Sequence, residues 1–157
     1  MTDEVLSATL TIEAPAARIF GILADPASHA AIDGTGWVRE PLDTEPVTGE
    51  GQVFRMAMYR AESGGDYVMA NRVKVFDSPR AIAWEPGVVR EGQQEQRYGH
   101  WIWRYDLVPV TESETEVRLS YDWSAVPPVI RERIPFPPFQ PEHLENSLRH
   151  LAELTRP

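Results

Sequence analysis

The sequence contains no cysteine. A disulfide scaffold, a thiolate metal site and a cysteine nucleophile are therefore excluded. No apolar run approaches the roughly 18 residues that a membrane-spanning helix needs. Met1 to Glu4 carry two acids and no base. No basic secretory leader is visible there, so a cytoplasmic protein without membrane insertion is expected. Positive charge is scarce: 15 Lys and Arg against 24 Asp and Glu give a net charge of −9. Such a chain repels phosphate backbones and anionic lipid surfaces, which argues against a nucleic-acid partner. The acidity is concentrated in residues 1–50, with nine acids against two bases, while residues 51–110 hold seven and eight. Lysine is nearly absent: Lys74 stands alone and the other bases are Arg.

Chemical motifs are equally sparse. His29, His100, His143 and His150 are the four histidines, and none pairs with another at metal-ligand spacing. His143 and His150 are two helical turns apart, too far to chelate one ion without a third element. Gly34-Thr35-Gly36 lacks the strand and helix that flank a phosphate loop. There is no nucleophile elbow. No metal or other cofactor is implied.

What is present is one domain's worth of patterned chain, residues 1–157. At 157 residues and 42% apolar composition, it should bury roughly 70% of its unfolded surface. Glu4 to Glu13 alternates, with Leu6, Ala8, Leu10 and Ile12 in the apolar phase, and reads as a half-buried strand. Pro15 to Ala24 reads as a helix with Ala16, Ile19, Phe20 and Leu23 on one side. Asp25-Pro26 suits the cap and first residue of a second short helix, Pro26 to Ile32, closed by Asp33-Gly34.

Strands then follow. Trp37 to Leu42 is short. Gly51 to Arg60 places Phe54, Met56 and Met58 in one phase. Tyr67 to Phe76 places Tyr67, Met69, Asn71, Val73 and Val75 together. Asp77 to Arg80 is a turn by composition. Ala81 to Glu85 pairs Ile82 with Trp84, and Pro86 to Gln96 reads as a polar loop. Arg97 to Val110 carries Trp101, Trp103, Tyr105 and Leu107 in its apolar phase. Thr115 to Ala125 carries Val117, Leu119, Tyr121 and Trp123, and the short polar link between these two predicts an antiparallel hairpin. A helical turn is expected at Val129 to Arg133. Prolines 135, 137, 138 and 141 forbid an ordinary helix over Ile134 to Pro141. The final helix, Pro141 to Thr155, has a stripe of Leu144, Leu148, Leu151 and Leu154 with Ser147 and Ala152.

The order of elements, a strand, two short helices, about six strands and a long helix, resembles the START-like, helix-grip superfamily, also called SRPBCC. The chain is most similar there to polyketide cyclase/dehydrase-type proteins. The matching segments are Ile12-Glu13-Ala14-Pro15 with Ile19-Phe20 and Leu23 to Pro26, Val75 to Trp84, and Trp103 to Pro109 paired with Thr115-Glu116-Val117. The resemblance implies an α+β fold in which a curved antiparallel sheet of about seven strands grips the C-terminal helix. It also implies an elongated cavity between them for an apolar or aromatic small molecule. The Pro-rich segment departs from a plain long helix and bears on one cavity mouth.

The phases give the candidate lining: Phe54, Met56, Met58, Met69, Asn71, Trp84, Trp101, Trp103, Tyr105, Tyr121 and Trp123. Large rings with polar tips and several indoles are hard to pack without gaps, and methionines make a compliant wall. Asn71 is the polar exception in its row. It either bonds Tyr105, Tyr121 or a buried water, or orients a ligand carbonyl or hydroxyl. His143, on the first turn of the final helix, is either an exposed residue or a neutral base at the cavity mouth. His100 and Arg104 fall on the outer phase. Asp122 is expected to face outward and pair with an Arg across the sheet. The expected function is binding or carriage of a hydrophobic or aromatic molecule, a lipid included. The alternative is an aromatase/cyclase or dehydratase working by confinement plus one acid/base group. A third reading, an interaction module like the ATPase-activating branch of the superfamily, would use Phe136 and Phe139. A monomer or a homodimer fits each.

Overall fold

The computed structural model describes residues 4–33, 36–61 and 64–156; Gly34 and Thr35 of the Gly-Thr-Gly segment lie outside it. The alternation at the start forms β1 (Val5–Ile12), whose odd residues are exposed and whose even ones turn inward to Ile12. Helix α1 (Ala16–Leu23) buries Ala16, Ile19, Phe20 and Leu23 as the helical spacing predicts. Asp25 accepts the Ala27 N–H at 3.0 Å and caps a 3-10 turn, Pro26–Ser28. That turn leads into α2 (His29–Ile32).

Six further strands follow: β2 (Val38–Pro41), β3 (Val53–Arg60), β4 (Gly65–Asp77), β5 (Ala81–Val88), β6 (Ile102–Thr111) and β7 (Glu114–Asp122). They join β1 in a seven-stranded sheet ordered β1-β7-β6-β5-β4-β3-β2, and each neighbouring pair is antiparallel. The expected hairpin is present, with Thr111 opposite Glu114. Helix α3 (Pro128–Arg131) and the non-helical Pro-rich segment precede α4 (Glu142–Leu154). The protein is thus α+β. No helix among the described residues is long and apolar enough to cross a membrane.

Leu144, Leu148 and Leu151 are at most 1% exposed, and they join Ile12, Ile19, Leu23, Leu107, Val117 and Leu119 in the main core. Each such leucine contributes about 1.5–3 kcal/mol by burial. A second cluster gathers Tyr121, Trp123 and Val126 with Trp101, Trp103, Ile130, Phe136 and Phe139, fastening the Pro-rich segment to the sheet. Arg131 secures the turn beside it, donating to the Val126 carbonyl at 2.9 Å and the Trp123 carbonyl at 2.8 Å while pairing with Glu4.

Several expectations need correction. The C-terminal helix is short, at 13 residues, and Leu154 is 38% exposed because the last turn runs past the core. A bulge between Val73 and Val75 reverses the phase of β4, so Phe76, not Val75, packs on the core and meets the Phe20 ring edge-on. The strand expected from Arg97 begins only at Ile102. His100 has φ 67°, a left-handed conformation that interrupts an extended chain. Strand β5 continues through Pro86 to Val88 rather than ending at Glu85. Its pairing with β6 stops at Trp84 while its pairing with β4 persists, so the proline's missing N–H costs no ladder bond on the open side. Asp122 bonds the N–H and hydroxyl of Ser124, not an arginine.

Candidate functional site

Inward residues of β3 to β7 face α2, α4 and the Pro-rich segment across a cavity of about 480 Å3. That volume lies within the range of about 300–1,000 Å3 usual for small-molecule pockets. Met56, Met58, Met69, Asn71, Trp84, Trp101, Trp103, Tyr105, Tyr121 and His143 all line it. Two candidates do not. Phe54 is 1% exposed and packs behind the wall, edge-on to His29 and Trp84. Trp123 is drawn into the second cluster, 5.8 Å from Tyr121, because β7 ends at Asp122.

The aromatic wall is built of ring pairs. Trp84 lies 6.0 Å from Tyr105, and Trp103 lies 4.5 Å from Tyr121. Phe139, from the Pro-rich segment, stacks on Trp103 at 5.5 Å and meets Tyr121 and His143 edge-on at 4.9 and 4.8 Å. Phe136 contacts Trp101 at 5.8 Å. The segment with four prolines therefore closes one side of the cavity with two rings. Trp101 lines the cavity although it precedes β6.

The polar groups are few. Asn71 donates from Nδ2 to the Phe54 carbonyl, its cross-strand partner, at 3.4 Å; the expected tyrosine partners are not used. His143 is 7% exposed rather than solvated, because α4 enters beside Trp103 and Phe139. Its Nε2 stands 4.0 Å from Asp33 Oδ1. Burial pushes the Tyr105 hydroxyl well above its ordinary pKa, and the Asp33 charge adds to that effect. Burial also raises Tyr121. Tyr67 is raised by burial, then pulled down by Arg60 and up by Asp33.

Sequence reasoning missed three of these lining groups. Asp33 read as a helix stop, and Arg60 as the end of a strand. His29 read as an isolated histidine; it is buried, bonds the Leu23 carbonyl through Nε2 at 2.8 Å and stacks on Trp84 at 5.1 Å. Burial holds its pKa below the ordinary 6.5, against the opposing Leu23 bond and the Asp25 charge. No local pattern marks these residues: contact between α2 and α4 places His29 and Asp33 at the cavity, and Arg60 reaches it from the end of β3, beside β2.

The outer face carries a separate arrangement. Glu85 is buried, accepting from Arg72 Nη2 at 2.7 Å with His100 Nδ1 at 3.3 Å. The backbone between β5 and β6 folds back here, with the Gly99 N–H donating to the Pro86 carbonyl at 3.2 Å. The side chain of Arg104 is 43% exposed, as its outer phase on β6 implies; that of His100, which precedes the strand, is 55% exposed.

No protein-family profile matches the chain. An uncharacterized protein of Mycobacterium tuberculosis is 27% identical over 120 residues, 76% of this chain and 48% of that protein. The chain thus spans about half the length of this curated relative. Solved structures are similar over nearly the whole chain. A Mycobacterium smegmatis protein has TM-score 0.69 at 16% identity, covering 96% of this chain and 90% of that one. A Chromobacterium violaceum protein has TM-score 0.67 at 18% identity, covering 98% of each. A Plasmodium falciparum protein described as an HSP90 activator has TM-score 0.54 at 11% identity, covering 96% and 95%. At these identities the likeness is one of fold alone.

Proposed function

We propose that this chain is a single START-like, helix-grip domain that binds a small hydrophobic or aromatic molecule between its sheet and α4. The observation that carries this reading is the cavity of about 480 Å3, walled by tryptophan, tyrosine and methionine with a few polar groups among them. Apolar walls supply affinity there and convergent polar groups supply orientation. The element order and the fold-level likeness to helix-grip-like structures support the same assignment.

A second reading, an acid/base enzyme of cyclase or dehydratase type, is favoured by one observation: Asp33 and His143 stand 4.0 Å apart on the cavity wall. A group positioned to move a proton, together with confinement, suffices for enolisation or loss of water.

Native mass spectrometry of gently purified protein, followed by denaturation and identification of what is released, tests the binding reading. A near-stoichiometric apolar compound is expected, and the same spectrum reports monomer or dimer. An apo mass that persists across a panel of aromatic compounds and lipids would overturn it. His143→Ala then separates the two readings: a carrier loses modest affinity, whereas an enzyme loses turnover of the identified compound while still binding it.

A further inference from the structure

Strand β5 keeps its inward phase past its end. Trp84, Pro86 and Val88 line the cavity, and Arg90 continues the same phase and lines it too. Met69 pairs with Val88, and the Val89 N–H donates to the Val68 carbonyl at 2.9 Å. Arg90 therefore lies across from Tyr67, the next inward residue of β4, which also lines the cavity. Val88 is half-buried and Arg90 exposed, so Arg90 stands at the cavity rim. Among the described residues its guanidinium makes no ion pair and no hydrogen bond. Its five N–H donors are open to a ligand.

Charge is uneven along the lining. Among the described lining residues the Arg, Lys, Asp and Glu are Asp33, Arg60 and Arg90, two bases against one acid in a chain of net charge −9. Tyr67, across from Arg90, feels the charge of Arg60 ahead of that of Asp33. The charge felt by the buried Tyr105 is that of Asp33. An anion is therefore held off from the Tyr105 end and drawn to the Arg90 end. Burying an unpaired carboxylate among the inner rings would also be costly. At the rim it keeps part of its water while an apolar body enters. Trp84, Trp101 and Trp103 offer that body ring faces and edges, which suits an aromatic one. A planar carboxylate matches the guanidinium fork with two parallel hydrogen bonds. The lining's single excess positive charge balances one carboxylate, whereas a phosphate monoester carries close to two charges.

We propose that the cavity takes an aromatic monocarboxylate, its rings inward and its carboxylate at the rim on the Arg90 guanidinium. This rests on the binding reading above and adds the ligand's charge and its orientation. Ligand-observed proton NMR titrations on the full chain, at about pH 7 and low salt, test it with 2-naphthoate, its neutral isostere 2-naphthamide, and 2-naphthyl phosphate. 2-Naphthoate should bind about fivefold more tightly than 2-naphthamide, a modest factor because Arg90 is exposed and screened. Arg90→Gln should shrink that preference to about twofold or less, and Arg90→Glu should reverse it. In both variants 2-naphthamide should bind within about twofold of the parent, which reports an intact cavity, since a substitution at an exposed rim position leaves the core packed. Equal or weaker binding of 2-naphthoate than of 2-naphthamide, tighter binding of 2-naphthyl phosphate than of 2-naphthoate, or a preference that survives both substitutions overturns the carboxylate assignment alone. Absence of binding by all three probes overturns the cavity reading and this inference with it.

Discussion

Phe139 is the ring through which the Pro-rich segment closes the cavity, and its truncation gives a quantitative test. The ring stacks on Trp103 and meets Tyr121 and His143 edge-on, with all three centroids within 5.5 Å. Truncating a fully buried phenylalanine costs about 3–5 kcal/mol, and each aromatic pair adds about 0.5–1.5 kcal/mol beyond area. Phe139 is only half-buried and already borders empty space, so part of its surface contributes little packing. Phe139→Ala should therefore lose about 2–3 kcal/mol in equilibrium urea unfolding, with an unchanged slope. For a chain of this size that corresponds to about 5–10 °C in Tm. Phe139→Leu should recover more than half of the loss. Val129→Ala, at a 57% exposed position in α3, should fall within about 0.5 kcal/mol of the parent. A loss below about 1 kcal/mol for Phe139→Ala would refute the docking of this segment on Trp103.

Other perturbations reach other parts of the structure. Leu148→Ala should cost about 2–5 kcal/mol and Leu154→Ala less than about 1 kcal/mol, since the first is 1% and the second 38% exposed; similar losses in chemical denaturation would contradict the register of α4. His29 has a folded pKa held below its ordinary 6.5. Above that pH it is neutral in both states. Below it the unfolded chain takes a proton that the folded protein refuses, so stability falls with a slope approaching about 1.4 kcal/mol per pH unit. His29→Gln should flatten the stability curve from pH 6.5 down to about pH 5, whereas a curve parallel to the parent's would show that His29 is not buried neutral. Gly87→Ala would set a Cβ 2.1 Å from the Arg97 carbonyl. It should cost about 1–3 kcal/mol by prying the following loop from β5, and an unchanged melting temperature would contradict that approach.

The strands were legible because period-two alternation survives wherever one face is buried. Phe54, Met56 and Met58 share the inner phase of β3, as do Trp103, Tyr105 and Leu107 on β6. The bulge near Lys74 was not, since one extra residue leaves no mark when neither Gly nor Pro accompanies it. The start of β6 was obscured for a related reason: the left-handed residue is His100 rather than a glycine. The apolar lining could be read because each strand carries its own phase. Of the polar lining, Asn71 could be read from its strand phase and His143 from its position on the first turn of the last helix, which left its burial undetermined. Asp33 and Arg60 could not be read: they belong to elements whose meeting with the cavity depends on packing between α2 and α4 and on the approach of β2 to β3.

An open space enclosed by the aromatic inner face is the premise on which both functional proposals stand. Xenon enters dry apolar cavities, so its NMR shift against protein concentration measures that space directly. A second titration with Met58→Trp, which places an indole where a half-buried methionine lines the cavity, supplies the control. A saturable shift in the parent that is lost in a folded Met58→Trp variant is the expected result. A weak linear shift, identical in both proteins, would mean that the tryptophans and tyrosines form a filled core and that the cavity does not exist in solution.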